Sequence, residues 1–361
     1  MPSIGILDAD LVGRSEHRFP NLACMKISAY HKEKGNTVKL LTKWADINNC
    51  DEVYISKVFT DTVIPEEFLH RSNIKYGGTG FYYDTAEPLP PEVEHHKPDY
   101  ELYSEWVSSK PDKKEQYKYY TDYSIGFTTR GCFRKCEFCV NKKYNRVFKH
   151  SPLNEFVDNT KKKICLLDDN ILGFKDWSKV FDDLEQTGKK FQFKQGLDER
   201  LLDDAKCSRL FNSKYDGDFI FAFDDVKDYD LIESKLKIID RYRTKGTIKF
   251  YVLVGFKSVD ADDIESAFKR IELLFKYKCI PYVMRYQSTD SKPYQSSKYS
   301  GMYYQLARWS NQPKFIKTTS FREFCYIRQT NPKRDCAAVA ALKLFEHDYP
   351  GIAAKYFDLR F

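Results

Sequence analysis

Three cysteines fall within eight residues of this chain, in Cys132-Phe133-Arg134-Lys135-Cys136-Glu137-Phe138-Cys139, a C-x3-C-x2-C spacing. Thiolates held this close repel one another at neutral pH unless a cation neutralises them, so the pattern asks for a metal. Zinc sites usually take four protein ligands built from paired C-x2-C units, and the chain has no second pair. His150, eleven residues past Cys139, is a candidate fourth ligand for zinc. The other solution is a [4Fe–4S] cluster on three cysteines, which leaves one iron open to a substrate or cofactor.

The remaining seven cysteines, at 24, 50, 165, 207, 279, 325 and 336, are scattered and read as small buried hydrophobes. Cys325 and Cys336 do not build a second cluster motif. The 361 residues suggest about two domains. With 42% hydrophobic and 31% charged residues the chain can bury a core, which excludes a disordered tail protein. The formal net charge of +7 suits a nucleotide, nucleic acid or other anionic substrate without demanding one. The longest apolar runs, such as 251–255, fall far short of the ~20 residues of a membrane helix. No basic stretch followed by an apolar one opens the chain. The expectation is a cytoplasmic protein with no membrane partner.

Something must position the cysteines. From 123 onward, short apolar strands are predicted at 123–128, 164–167, 191–194, 218–223, 248–254 and 281–286. Amphipathic helices are predicted between them at 177–187, 203–213, 231–244 and 262–278. In the last, Ile264, Ala267, Phe268, Ile271, Leu274 and Phe275 recur at a helical period. This alternation is the mark of an α/β fold with a parallel sheet and crossover helices. The cysteines follow its first strand, so they lie at the carboxyl end of the strands, where such folds place chemistry.

Residues 1–83 carry a smaller α/β pattern. Strands are predicted at 3–7, 37–41 and 52–59, and helices at 21–34 and 64–72. The run Ile74-Lys-Tyr-Gly-Gly-Thr-Gly80 either turns the chain or cradles an anion, the turn being favoured. Residues 84–122, rich in Pro, Tyr and charge, read as a linker, and 291–361 as a C-terminal extension. In that extension basic and aromatic residues alternate, which suits either base stacking or a helix over 302–309 packed on the fold.

The C-x3-C-x2-C run, with Phe138 before the last cysteine and a strand plus Gly131 before the first, resembles the radical S-adenosylmethionine superfamily. The resemblance implies a partial (β/α)6 TIM-like barrel over 123–290, preceded by a small Rossmann-like domain over 1–83. It implies that Cys132, Cys136 and Cys139 hold a [4Fe–4S] cluster. One electron from it would cleave S-adenosylmethionine to a 5′-deoxyadenosyl radical, which abstracts hydrogen from a substrate. A protein reductant such as flavodoxin or ferredoxin would supply the electron.

The same resemblance assigns further residues to S-adenosylmethionine. Phe138 borders it, and the acidic pair Asp168-Asp169 meets its ammonium group; the alternative is that Asp169 or Asn170 caps the following helix. Arg200 meets its carboxylate or pairs with Asp198 or Glu199. Asp224 meets ribose or substrate, Gly255 lets the adenosine approach the backbone, and Met284 lies on the strand that borders the adenine. The N-terminal part is similar to cobalamin-binding domains. Asp8-Ala-Asp10-Leu-Val-Gly13 has the form of the D-x-H-x-x-G loop with Asp10 in place of the His, a poor cobalt ligand. A vestigial domain without cobalamin is expected. The competing functions are a cobalamin-dependent radical methyltransferase and a metal-stabilised nucleic-acid-binding protein without catalysis.

Overall fold

Strands alternate with helices in the computed structural model, which describes residues 1–111, 114–244, 246–288, 292–327, 329–331 and 333–361. By internal contacts the chain divides into two compact units, Met1–Gln195 and Gly196–Phe361. That division falls inside the 123–290 span expected as one barrel. The expected boundary at 290–291 lies outside the described residues. Among the described residues no helix is long and apolar enough to cross a membrane.

The first unit opens with four strands: β1 Ser3–Asp8, β2 Thr37–Leu40, β3 Glu52–Ser56 and β4 Ile74–Gly77. They form a parallel sheet in the order β2-β1-β3-β4. β1 is central, and Ile4 to Asp8 are all buried, the pattern of a parallel strand covered on both faces. Helix Leu22–Glu33 starts at Asn21, whose side chain accepts the Cys24 N–H, and stops before Gly35 at φ +79°.

Two expectations change here. Ile74–Gly77, read as part of a glycine loop, is the edge strand β4 paired with β3. The chain then turns at Gly78, φ +108°, where a Cβ would lie 2.3 Å from the Lys57 carbonyl oxygen; only glycine fits. The helix expected over 64–72 is a single 3-10 turn, Glu66–Phe68, with Phe68 its one buried residue. One apolar contact does not offset the cost of nucleating a longer helix.

The segment expected as a linker, 84–122, is core. Val93, Tyr100, Leu102, Tyr103, Tyr117 and Tyr120 are buried in one cluster with Ile4, Ile6, Cys24 and Met25. Two of these tyrosines are buried with satisfied hydroxyls, while the buried Tyr120 hydroxyl has no partner among the described residues. Tyr103 Oη donates to Asp8 and accepts the Asn21 N–H, while Tyr100 Oη accepts the Ile125 N–H and donates to the Phe156 carbonyl.

Three more parallel strands complete the first unit: β5 Tyr123–Gly126, β8 Lys163–Leu166 and β9 Lys190–Phe193, in the order β5-β8-β9. Between β5 and β8, a two-residue antiparallel ladder joins β6 Thr129–Arg130 to β7 Phe148–Lys149. This ladder closes the loop that carries the cysteines.

In the second unit, β10 Phe219–Ala222, β11 Ile248–Val254 and β12 Ile280–Arg285 form a parallel sheet in that order, extended by a bridge between Leu197 and Phe221. Helices Asp204–Asn212, Tyr229–Tyr242 and Ala261–Lys276 accompany it. All six apolar residues that predicted the last helix are buried. Helix Ser300–Ser310 buries Met302, Tyr303 and Trp309, so the rings of the extension's first helix belong to a core rather than to a stacking surface. The six predicted strands thus exist as two parallel three-stranded sheets, one in each unit.

Candidate metal centre

The cysteine loop is anchored where β5 ends, and two carboxylates at the end of β8 do the anchoring. Asp168 is buried and accepts four hydrogen bonds. They come from the Thr128 N–H (3.1 Å) and hydroxyl (2.5 Å) and from the Thr129 N–H (2.6 Å) and hydroxyl (2.7 Å). Burial pushes its carboxyl above the usual range, and the Thr128 and Thr129 hydrogen bonds pull it back. Asp169 accepts the Gly131 N–H at 2.6 Å and the Asn141 side-chain amide at 2.8 Å, with Arg130 Nε 3.5 Å away. Of the two capping candidates, Asp169 and Asn170, it is Asn170 that takes the role. Asn170 starts the 3-10 turn Ile171–Gly173 and accepts the Gly173 N–H.

Within the loop the three cysteines are half-buried free thiols. The Arg134 N–H points at Cys132 Sγ (3.3 Å), as does the Asn170 side-chain amide (3.3 Å), and the Asn141 N–H points at Cys139 Sγ (3.4 Å). The Cys139 N–H also donates to the Cys136 carbonyl, folding the C-x2-C half into a turn. Burial pushes the Cys139 thiol up; the Asn141 N–H opposes it, while Cys136, Cys132 and Asp169 add repulsion. Amide donors aimed at sulfur favour the thiolate, the form that binds metal. Among the described residues, no three His, Cys, Asp or Glu side chains converge as a metal-binding group. Cys132, Cys136 and Cys139 thus share one loop without converging on one centre.

His150 is not available as a fourth zinc ligand. Its Nε2 lies 3.3 Å from Glu94, its Nδ1 lies 3.0 Å from the Ser151 hydroxyl, and its ring stacks on His95. Burial raises the Glu94 carboxyl, but His150 and the buried Lys26 outweigh it and hold the group down at about 2.

Phe138 is half-buried in the loop, and its carbonyl accepts the Tyr83 hydroxyl. The other residues assigned to S-adenosylmethionine belong to the second unit. Arg200 pairs with Asp198 (2.8 Å) and Asp228, with the buried Glu199 carboxyl 3.7 Å away, so the ion-pair alternative is the one the structure realises. Asp224 accepts the Leu253 N–H, and burial pushes its carboxyl up to about 6 against the pull of Arg270. Arg270 is itself buried and donates to the carbonyls of Phe223, Asp224 and Leu253, tying the ends of β10 and β11 together. Gly255 has φ +72°, and its N–H donates to Asp263. A Cβ there would sit 3.2 Å from Tyr294, so the side chain of Tyr294 already covers this glycine. Met284 is exposed on β12.

Asp10 is also spoken for: its carboxylate accepts the Val58 and Phe59 N–H groups and the Thr62 hydroxyl. It ties the loop after β1 to the one after β3, the switch point of this sheet order, where an α/β sheet would otherwise open a crevice.

Thr128, Thr129, Asn141 and Arg270 carried no expectation in the sequence, whereas Asn170 is the cap expected of it. The first three flank the cysteines, so proximity to the motif was the available signal; nothing local marked Arg270.

The chain matches no protein-family model and no curated protein sequence.

Proposed function

We propose that this chain is a radical S-adenosylmethionine enzyme in which Cys132, Cys136 and Cys139 hold a [4Fe–4S] cluster. The observation that carries the reading is the cysteine loop itself. It is pinned at the end of a parallel strand by Asp168 and Asp169, and backbone or side-chain amides point at two of its three sulfurs. When bound, such a cluster supplies the electron that cleaves the sulfonium of S-adenosylmethionine. Metal binding and local folding are one process in short thiol loops, so gathering the three thiols on loading is part of the proposal.

The chain's own residues do the rest. Asp168 and Asp169 act as positioning residues for the loop, and Arg200 belongs to the ion-pair network around Asp198. Phe138, Asp224 and Met284 remain the residues assigned to the cofactor, whereas Gly255 is covered by Tyr294. With the reading come the six-unit partial barrel, the Rossmann-like N-terminal domain, a flavodoxin- or ferredoxin-type reductant and a reducing, cytoplasmic setting. Cobalamin is not part of it, because Asp10 offers no cobalt ligand and its carboxylate is engaged internally. Zinc is not favoured, because His150 is engaged by Glu94 and Ser151.

Anaerobic reconstitution with iron and sulfide tests the reading. The expected result is about four irons per chain with broad thiolate-to-iron absorption, both lost in Cys136→Ala. Full loading of Cys136→Ala, or preferential uptake of zinc by the unsubstituted chain, would overturn it.

A further inference from the structure

The chain's positive charge is concentrated at one place. Of its 59 lysines and arginines, seven fall within 130–149 (Arg130, Arg134, Lys135, Lys142, Lys143, Arg146, Lys149), against one acid, Glu137. That is a net +6 in twenty residues, while the whole chain carries +7. The other 341 residues are therefore close to neutral. Neutralising the metal centre does not account for the excess: even three full thiolate charges would balance only half of it.

The charge is accompanied by exposed rings. Phe133, 38% exposed, has the Arg134 guanidinium 5.0 Å from its centroid, and Lys143 lies 5.4 Å from the half-buried Tyr144 ring. The segment that runs out of β4 is hydrogen-bonded to this loop at two points, Tyr83 Oη to the Phe138 carbonyl and Lys143 Nζ to the Ala86 carbonyl. It carries Tyr82, which stacks on Tyr76 with centroids 6.2 Å apart and rings within 9° of parallel; both are exposed. A surface that pairs cations with uncovered aromatic faces has the chemistry of a single-strand nucleic-acid binder. There phosphates meet Lys and Arg, and bases stack on rings. An acidic protein would use the charges and leave the rings without a role.

We propose that the substrate presented to the cysteine loop is a single-stranded polynucleotide segment, bound by this basic and aromatic surface. In naming a substrate for that site the inference rests on the radical reading; the binding itself does not require the cluster. Fluorescence anisotropy of the full-length chain with labelled oligo-uridylate and oligo-thymidylate of about 20 nucleotides tests it.

The expected result is binding at low salt that falls linearly in log–log form with added salt. Reversal of two exposed charges, Arg146→Glu with Lys149→Glu, weakens it about tenfold and lowers the salt slope by roughly one unit. Phe133→Ala, which keeps every charge, also weakens it about tenfold. Circular dichroism melts of each variant confirm that the fold is retained. The proposal is overturned by no binding to either oligonucleotide. It is equally overturned by poly-glutamate competing as well as oligo-uridylate with no effect of Phe133→Ala, which would make the surface an acidic-protein dock. Iron loading, measured on the unsubstituted chain, reports separately on the cluster, so either reading can fail without the other.

Discussion

Asp169, at the end of β8, accepts the backbone N–H of Gly131 at 2.6 Å, one residue before the first cysteine. The carboxylate thus fixes where the loop begins. Gly131 has φ +88°, and a Cβ there would lie 2.4 Å from the Arg146 carbonyl oxygen, backbone that cannot swing away cheaply. Gly131→Ala is expected to cost about 2 kcal/mol through strain at that one residue. It should also reduce iron uptake to less than roughly half that of the unsubstituted chain, because the loop loses its entry geometry. Urea unfolding and iron content per chain read the two effects.

Asp168 is expected to matter more for the fold than for any ligand. Its replacement by Ala leaves two backbone N–H groups and two hydroxyls at Thr128 and Thr129 without their acceptor, inside a buried site. A loss of about 3 kcal/mol is expected in chemical denaturation. Asp168→Asn, which keeps one acceptor oxygen, should lose less. Equal stability of Asp168→Ala and the parent would remove Asp168 from its positioning role.

His150→Ala separates iron from zinc. Because His150 is engaged by Glu94 and Ser151, its loss should leave iron uptake after reconstitution unchanged while lowering stability by about 1 kcal/mol. Loss of metal in this variant would restore His150 as a ligand.

The pH dependence of stability should carry the mark of Glu199. This residue is buried beside β10, where its carboxylate accepts the Ala222 N–H, and burial pushes its carboxyl from 4.5 up to about 8. A carboxyl whose pKa is raised by folding keeps its proton in the native state while the unfolded chain releases it. Its contribution is therefore full below pH 4.5 and is lost as pH climbs through about 8. Glu199→Gln, neutral at every pH, should flatten the decline between those values. Thermal melts at a series of pH values check this, and an unchanged slope would refute it.

Most of the strands could be read from the chain, because a parallel strand buried on both faces is a continuous apolar run: the strand expected at 3–7 is found as Ser3–Asp8, buried from Ile4 to Asp8. β4 was hidden. It is an edge strand of Ile-Lys-Tyr-Gly in which only Ile74 is buried, so its apolar content gives no signal against the glycines beside it. The core formed by residues 84–122 was hidden for a different reason. Tyr100 and Tyr103 are buried only because backbone groups and Asp8, all far away in sequence, satisfy their hydroxyls. At the site, the spacing of Cys132, Cys136 and Cys139 is local and was legible. What holds them is not: Asp168 meets Thr128 across 40 residues, and only the pairing of β5 with β8 brings them together. Arg200 sits between the two cases, since its acidic neighbours Asp198 and Glu199 already stood beside it in the sequence.

In the proposed function the cysteine loop supports reductive cleavage of S-adenosylmethionine. The most direct measurement is 5′-deoxyadenosine formed by anaerobically reconstituted protein given dithionite and S-adenosylmethionine. Formation well above a protein-free background, abolished by Cys136→Ala, is the expected result. Background levels from a chain that has taken up its full complement of iron would contradict it.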